Sequence, residues 1–142
     1  MKPAIVTTER QLTAIIRADA PFDRLPQVQR AGRAQLQAEL PLLDVGTVGR
    51  TCTRWTPPAN GRLPMEIGTI VSQPFVARGE IVPSELPAGR AVHLAMKGSF
   101  ENLPKAWAML FDWCKAQGLA PAGINWEIYG AAEDADLYAL LA

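Results

Sequence analysis

An internal repeat constrains this chain more than any other feature. The heptapeptide PFDRLPQ at residues 21–27 returns 78 residues later as SFENLPK at residues 99–105, with phenylalanine, leucine and proline in matching places. An acidic residue also holds the same place in both copies, Asp23 in one and Glu101 in the other. A duplication of this kind predicts two structurally equivalent halves.

The same register extends to both sides of the heptapeptide. Upstream it aligns residues 12–20 (LTAIIRADA) with residues 90–98 (RAVHLAMKG), and both stretches alternate as strands do. Downstream it aligns residues 28–40 with residues 106–118, both rich in residues that favour helices. Each half therefore begins with a strand, a turn and a helix.

Two strand-like runs follow each predicted helix: VGRTCTRW and MEIGTIVSQ in the first half, INWEIYG and ADLYALLA in the second. PPANGR (57–62) and GAAEDAD (130–136) are predicted to be the hairpin connections. ARGEIVPSELPAG (77–89), with its two prolines, is predicted to bridge the halves. We therefore predict an α+β fold of two β-α-β-β units, at about residues 1–76 and 77–142 of one domain.

Neither unit is large enough to hide both a sheet face and an apolar helix stripe alone. The two units should therefore pack as a pseudo-twofold pair, in which helices cover an antiparallel sheet and a ligand groove forms between the halves. A duplicated ferredoxin-like arrangement would also place helices on one face of an α+β sheet, so it stays open as an alternative.

Charge and N-terminal sequence exclude several partners. Fourteen basic and 14 acidic residues give a formal net charge of 0. No long block of one sign offers a surface for phosphates, so we expect no direct nucleic-acid partner. The N-terminus, MKPAIVTTERQLTAII, has polar residues at positions 7–10, which argues against a signal peptide or a membrane span. We expect a cytoplasmic protein with no membrane partner.

Cysteine and histidine are too sparse to indicate a metal or catalytic cluster. Cys52 and Cys114 lie far apart, and His93 is the only histidine. In a reduced chain the cysteines are expected to fill apolar space. No phosphate-binding loop or catalytic triad signature occurs. We expect neither a metal nor a cofactor.

One carboxylate interrupts a run that otherwise looks like a buried strand. In GINWEIYG (123–130), Glu127 lies between Trp126 and Ile128. Because side chains alternate along a strand, Glu127 and Tyr129 share one face and the two neighbours share the other. The pattern fits a ligand-facing carboxylate, but it also fits a glutamate on the wet face of an antiparallel sheet.

Four elements of the second half occur together in a characteristic order: LPAG at 86–89, G-S-F-E-x-L-P at 98–104, the helix AWAMLFDWCKAQG, and E-I-Y at 127–129. In this order they resemble the GyrI-like (gyrase-inhibitor-like) effector-binding domains. Such domains also form the ligand-binding half of AraC-type and MerR-type multidrug-sensing regulators. The resemblance covers the chain from about residue 85, and we expect a stand-alone member because the first predicted strand starts at the N-terminus.

The resemblance implies a ligand site. The family's pocket glutamate, which meets cationic, lipophilic ligands between aromatic walls, matches Glu127, and its final-strand aromatic matches Tyr138. Aligning CTRWT (52–56) with WEIYG (126–130) places Thr53 opposite Glu127 and Trp55 opposite Tyr129. The predicted ligand-binding residues are Glu127, Tyr129, Tyr138, Trp55, Thr53 and Trp113.

The tryptophans of the second helix receive different assignments. Trp107 and Trp113 are six residues apart, so they cannot lie on one helical stripe. Trp107 belongs to the apolar stripe that also contains Leu103, Leu110 and Phe111, and it is predicted to lie in the core. Trp113 is predicted to lie at the rim or wall of the pocket.

Three functions are compatible with these observations. The first and favoured one is the capture of lipophilic, cationic small molecules for drug sensing or sequestration. The second is hydrolysis of cyclopropane-bearing genotoxic compounds, an activity of some stand-alone GyrI-like proteins, which would make Glu127 and Tyr129 catalytic. The third is a gyrase-inhibitor-type protein interaction, which the balanced charge disfavours. A partnership with gyrase or with a separate regulator stays open.

Overall fold

The computed structural model describes residues 2–142 and shows two helices on an antiparallel sheet of eight strands. The elements are β1 (Ala4–Thr8), β2 (Gln11–Pro21), α1 (Leu25–Glu39), β3 (Val48–Trp55), β4 (Arg62–Val71), β5 (Ile81–Leu86), β6 (Gly89–Met96), α2 (Leu103–Ala116), β7 (Pro121–Tyr129) and β8 (Ala135–Leu141). The strand order across the sheet is β1-β6-β8-β7-β3-β4-β2-β5. The predicted α+β class is confirmed.

The repeat is visible in the way both helices start. Helix α1 begins at Leu25 and α2 begins at Leu103, which are 78 residues apart as in the sequence register. Each helix has a proline in its first turn, where the missing N–H is not needed. A 3₁₀ turn that opens with Phe22 or Phe100 comes directly before each helix.

The structure adds two strands to the six predicted ones. Residues 77–89, predicted as a plain connection because of their two prolines, contain β5. Pro83 is compatible with β5 because this strand lies at the edge of the sheet and pairs only with β2. Strand β1 is its counterpart in the first half, so each repeat is β-β-α-β-β.

The two edge strands interlock the halves. Strand β1 pairs with β6 of the second half, from Ala4 opposite His93 to Thr8 opposite Gly89. The same register continues where β2 pairs with β5, starting at Gln11 opposite Leu86. Neither half therefore completes its part of the sheet without a strand from the other half.

Both helices lie on one face of the sheet. Helix α1 packs on β2 and β4, and α2 packs on β6 and β8, which leaves the central strands β3 and β7 between them. On this face a row of directly opposed, buried residues crosses the six inner strands, and from β2 to β6 it reads Ile16, Ile67, Thr53, Glu127, Leu137 and Leu94.

The opposite face of the sheet carries a separate apolar cluster around Trp126, Ile128 and Cys52. Both cysteines are free and buried, and burial raises the pKa of the Cys52 thiol to about 12. A thiol with this pKa is not a nucleophile near neutral pH.

Neither helix in residues 2–142 has the length and apolar content needed to cross a membrane.

Close packing at Gly68 in β4 gives a test of the sheet register. A Cβ atom at this position would lie 2.6 Å from Cγ2 of Ile15 and 3.1 Å from the carbonyl oxygen of Ala14. We expect Gly68→Ala to lower the free energy of unfolding by about 1–3 kcal/mol, the usual cost of overpacking, as measured by urea denaturation.

Gly49 in β3 provides the matched control, because an added Cβ would have its nearest contact at 3.4 Å, an ordinary separation. Gly49→Ala should change stability by no more than about 0.5 kcal/mol. Equal stability losses in the two variants would contradict the register described for β2, β3 and β4.

Candidate ligand-binding groove

A groove of about 710 Å³ lies between the N-terminal ends of the two helices, above the central strands. Equivalent residues of the repeat form its two helical walls. Helix α1 contributes Leu25, Pro26 and Gln29, and α2 contributes Leu103, Pro104 and Trp107. The groove therefore lies at the junction of the halves, where the repeat predicted it.

Strands and loops complete the groove with mainly apolar groups. Trp55 of β3 and Asn125 of β7 lie directly opposite each other in the sheet, and both line the groove. Phe100 and Phe111 add aromatic rings, and the indole of Trp107 stacks on Phe111 at a centroid distance of 5.6 Å. Among the lining residues that the structure describes, Glu127 is the only charged one.

The carboxylate of Glu127 is almost completely buried, at 3% exposure, and it accepts hydrogen bonds on both oxygens. Nε1 of Trp107 donates to Oε2 at 2.6 Å, and the hydroxyl of Tyr129 donates to Oε1 at 2.5 Å. The indole of Trp55 is close enough to favour the charged form as well, although its buried N–H has no hydrogen-bond partner of good geometry.

A chain of hydrogen bonds continues behind this carboxylate. Oγ1 of Thr53 lies 2.7 Å from the hydroxyl oxygen of Tyr129, and Nη2 of Arg33 donates to the same Oγ1 at 3.0 Å. The guanidinium carbon of Arg33 also lies 5.0 Å from the centroid of the Tyr129 ring, within cation–π range. The chain joins residues of α1, β3 and β7.

Burial and hydrogen bonding act in opposite directions on the acidity of this site. Burial raises the pKa of the Glu127 carboxyl above 4.5, and the donors Trp107, Tyr129 and Trp55 and the charge of Arg33 only partly offset it. Burial, followed by the negative charge of Glu127, raises the pKa of the Tyr129 phenol well above 10. Tyr129 thus keeps its proton at physiological pH and can donate a hydrogen bond.

Four of the six predicted site residues come together. Trp55 and Glu127 line the groove, while Tyr129 and Thr53 lie in the hydrogen-bond chain around the carboxylate. In the structure Thr53 pairs directly with Glu127 in β3 and β7, whereas Trp55 pairs with Asn125 and not with Tyr129. Glu127 is buried, so the alternative of a solvent-exposed strand glutamate is wrong.

Tyr138, which the resemblance places in the same ligand site as Glu127, does not lie near Glu127. Tyr138 pairs with Trp126, not with Glu127, so its side chain lies on the opposite face of the sheet. It stacks there on Trp126 at 5.3 Å and packs against the ring of His93 at 4.8 Å.

Trp113 also lies outside the groove: it packs against the core between α2 and the sheet and is not a lining residue. The helical spacing explains this, because six residues turn Trp113 away from the groove-facing side of Trp107. Trp107, predicted to lie in the core, packs against the core cluster under α2 but is only partly buried, because it also lines the groove and hydrogen-bonds Glu127.

Arg33 was missed altogether by sequence reasoning. The repeat contained a usable signal, because its register places Arg33 at the position of Phe111, which faces the groove. A single arginine within a helix otherwise looks like an ordinary surface residue.

Within residues 2–142, no group of three or more histidine, cysteine, aspartate or glutamate side chains could hold a metal ion.

The chain is similar to a known protein family in sequence and to solved structures in fold. Residues 1–138 match the family model of the GyrI-like small molecule binding domain. The crystal structure of the EcmrR C-terminal domain has a TM-score of 0.75 at 15% identity, with 99% of this chain and 97% of that chain covered. In the EcmrR–DNA complex the match has a TM-score of 0.83 at 16% identity and covers 99% of this chain but only 57% of that chain.

Two further solved structures share the fold. SAV2435 bound to tetraphenylphosphonium has a TM-score of 0.69 at 12% identity, with 100% of this chain and 94% of that chain covered. A hydrolase from Listeria innocua has a TM-score of 0.65 at 11% identity, with 99% and 92% covered. No curated protein matches the sequence. Since the family model spans nearly the whole sequence, the chain belongs to the GyrI-like small-molecule-binding domain family.

Proposed function

We propose that this protein binds lipophilic organic cations in the groove, for sensing or sequestration, and that Glu127 supplies the counter-charge. One observation carries the proposal: the groove is aromatic and mainly apolar, and among its described lining residues the single charged group is a buried carboxylate. A carboxylate in such a place is costly unless donors or a counter-charge compensate it.

The donors of Glu127 leave room for a ligand. Each carboxylate oxygen offers about two lone-pair positions, and only one hydrogen bond is made to each oxygen, from Trp107 and from Tyr129. A cation in the groove would add an opposite charge in a region of low dielectric, where Coulomb attraction is stronger than in water. It would thereby relieve part of the cost of burying the charge.

The walls suit the rest of such a ligand. The rings of Trp55, Trp107, Phe100 and Phe111 provide apolar area and faces for cation–π attraction. A volume of about 710 Å³ is within the range of small-molecule sites. The complex of SAV2435 with tetraphenylphosphonium, a lipophilic cation, supports this class of ligand for a protein of the same fold.

Glu127→Gln tests the counter-charge while keeping the shape of the side chain. We expect the variant to bind tetraphenylphosphonium more weakly by about 1.5–3 kcal/mol, the scale of a charge-assisted contact. Binding of the neutral triphenylphosphine oxide should change little. Isothermal titration calorimetry with both compounds measures the difference.

Glu66→Gln is the matched control for this experiment. Glu66 is also a strand carboxylate, but it pairs with Arg54 on the face away from the groove and accepts a hydrogen bond from Ser84. Its substitution removes the same charge and should leave tetraphenylphosphonium binding unchanged. Equal loss in both variants would mean that net charge, not the groove carboxylate, governs binding.

The raised pKa of Glu127 gives a pH test with a definite sign. Tetraphenylphosphonium keeps its charge at every pH, whereas Glu127 loses its charge as pH falls through its folded-state pKa. Affinity should therefore decrease on acidification, beginning above the ordinary carboxyl value of 4.5. The Glu127→Gln variant should show a flat profile over this range, and a sloping one would assign the effect to another group.

Hydrolysis of a strained cyclopropane compound is a second candidate, favoured by the buried carboxylate with raised pKa and by the hydrolase of the same fold from Listeria innocua. In this reaction Glu127 would take a proton from water, while the water oxygen bonds to a ring carbon and a ring C–C bond breaks. The electron pair of that bond would pass to a conjugated acceptor of the substrate and then be protonated.

Mass spectrometry separates the two functions. A hydrolase would convert an electrophilic cyclopropane compound into a product containing the elements of one water. Glu127→Gln would then reduce turnover by roughly 10²–10⁴-fold and largely keep substrate binding. Glutamate-dependent product would replace the binding function with the enzymatic one, and binding without product would support the cation-binding proposal.

A further inference from the structure

We propose that Arg33 is a positioning residue of the groove: it fixes the direction of the hydroxyl protons behind Glu127, so that this carboxylate is held as a charged acceptor. The assignment itself rests on the hydrogen-bond geometry, and its effect on ligands rests on the proposed cation binding. Arg33 does not line the groove, so it would act through Thr53 and Tyr129 and not by touching the ligand.

The number of protons available fixes which group donates in each hydrogen bond of the chain. The guanidinium of Arg33 can only donate, so Oγ1 of Thr53 must accept at the 3.0 Å contact between them. The Thr53 hydroxyl has one proton of its own, which is then free to go to the hydroxyl oxygen of Tyr129, 2.7 Å away. The single phenol proton of Tyr129 goes to Oε1 of Glu127 at 2.5 Å.

This order gives every hydrogen bond one donor and one acceptor, and it ends on the carboxylate. Each hydroxyl both accepts and donates, an arrangement in which neighbouring hydrogen bonds polarise one another. The charged form of Glu127 is the natural end of the chain because it is an acceptor only. A protonated Glu127 would carry its additional proton on one of the two oxygens that already accept from Tyr129 and Trp107.

Without Arg33 the direction is no longer fixed. Thr53 could then accept a proton from Tyr129, and the phenol proton would be divided between Thr53 and Glu127. The carboxylate would lose part of a charge-assisted hydrogen bond together with a nearby positive charge. Both losses favour its neutral form.

Within residues 2–142, no other charged group of the elements packed around Glu127 competes for this role. Helix α2 contributes the indole of Trp107, and β3 contributes Thr53 and the indole of Trp55, none of which titrates. The cross-strand neighbour on β8 is Leu137. Tyr129 of β7 and Arg33 of α1 are the titratable and charged groups that act on the carboxylate.

The arrangement predicts opposite effects of Arg33 at high and low pH. Where Glu127 is ionised with or without Arg33, removing the guanidinium removes a positive charge that repels a cationic ligand. At lower pH its removal neutralises Glu127 earlier and weakens cation binding. The pH profiles of wild type and an Arg33 variant should therefore cross, which a general structural defect would not produce.

The direct test is a titration of Glu127 in the ligand-free protein by ¹³C NMR of its carboxyl group, with the assignment made by comparison with Glu127→Gln. We expect Arg33→Met to raise the ratio of neutral to charged carboxyl by about threefold to tenfold at a given pH, because the carboxylate loses a nearby positive charge and part of a charge-assisted hydrogen bond. Arg33→Lys, which keeps a charge and a donor, should restore most of the wild-type titration. An unchanged midpoint in Arg33→Met would overturn the proposal.

Two further variants distinguish the effect of proton direction on the Glu127 titration from the effect of charge alone and from a general effect on folding. Arg30→Met makes the same change at an exposed position of α1 and should leave the titration unchanged. In Arg33→Met/Thr53→Val no hydroxyl competes for the Tyr129 proton, so part of the effect of Arg33→Met should be reversed. If the double variant titrates like Arg33→Met alone, Arg33 acts only by its charge and the directional role is wrong.

Ligand binding is measured separately, so that the two proposals can fail independently. Tetraphenylphosphonium binding is measured across pH for wild type and Arg33→Met. Crossing profiles together with the shifted titration support both proposals. A shifted titration with no tetraphenylphosphonium binding by wild type would contradict the proposed function and leave the role of Arg33 supported. Binding by wild type with parallel profiles would contradict the role of Arg33.

Discussion

The carboxylate of Glu127 lies at the centre of the sheet, and the groups that satisfy it come from several parts of the fold. Trp107 reaches it from α2, Tyr129 from β7, and Arg33 acts from α1 through Thr53 of β3. A buried carboxylate without partners costs several kcal/mol. The site therefore requires that both helices and both central strands keep their relative positions.

The interlocked sheet provides that constraint. Because β1 pairs with β6 and β5 pairs with β2, each half holds an edge strand of the other. The halves cannot slide along the junction of β3 and β7 without disturbing these outer pairings as well. Since the groove lies at this junction, its shape is set by the whole sheet and not by one loop.

The repeat supplies a symmetric scaffold whose chemistry is asymmetric. Gln29 and Trp107 occupy equivalent positions, as do Arg33 and Phe111, and Thr53 lies directly opposite Glu127. The first half contributes the cation and the aliphatic hydroxyl, and the second half contributes the carboxylate, the phenol and the indole. Divergence between the copies is what gives the hydrogen-bond chain its direction, because a symmetric pair of identical side chains would have none.

Local patterns in the sequence were sufficient for some parts of the structure. The repeat register gives the start of both helices, and strand alternation places Glu127 and Tyr129 on one face. The position of Tyr138 depends on the register between β7 and β8, which pairs it with Trp126 and has no local signature. Trp107 illustrates a different limit, because an apolar helix stripe looks the same whether it faces a core or a groove. The two prolines of residues 77–89 made this segment look like a loop in the sequence. It contains β5 because an edge strand tolerates proline.

Glu127 makes its hydrogen bonds to other side chains of the protein, and these bonds affect which ligands the groove can select. A carboxylate that already accepts from Trp107 and Tyr129 cannot swing out to follow different ligands, so the place of the negative charge is fixed. The walls are less constrained, since Phe100 and Phe111 are partly exposed, at 37% and 36%. Exposed side chains change rotamers readily, whereas packed ones do not. For the proposed cation binding, a fixed charge with adaptable aromatic walls would discriminate strongly by ligand charge and weakly by ligand shape, and so would suit a broad class of cations.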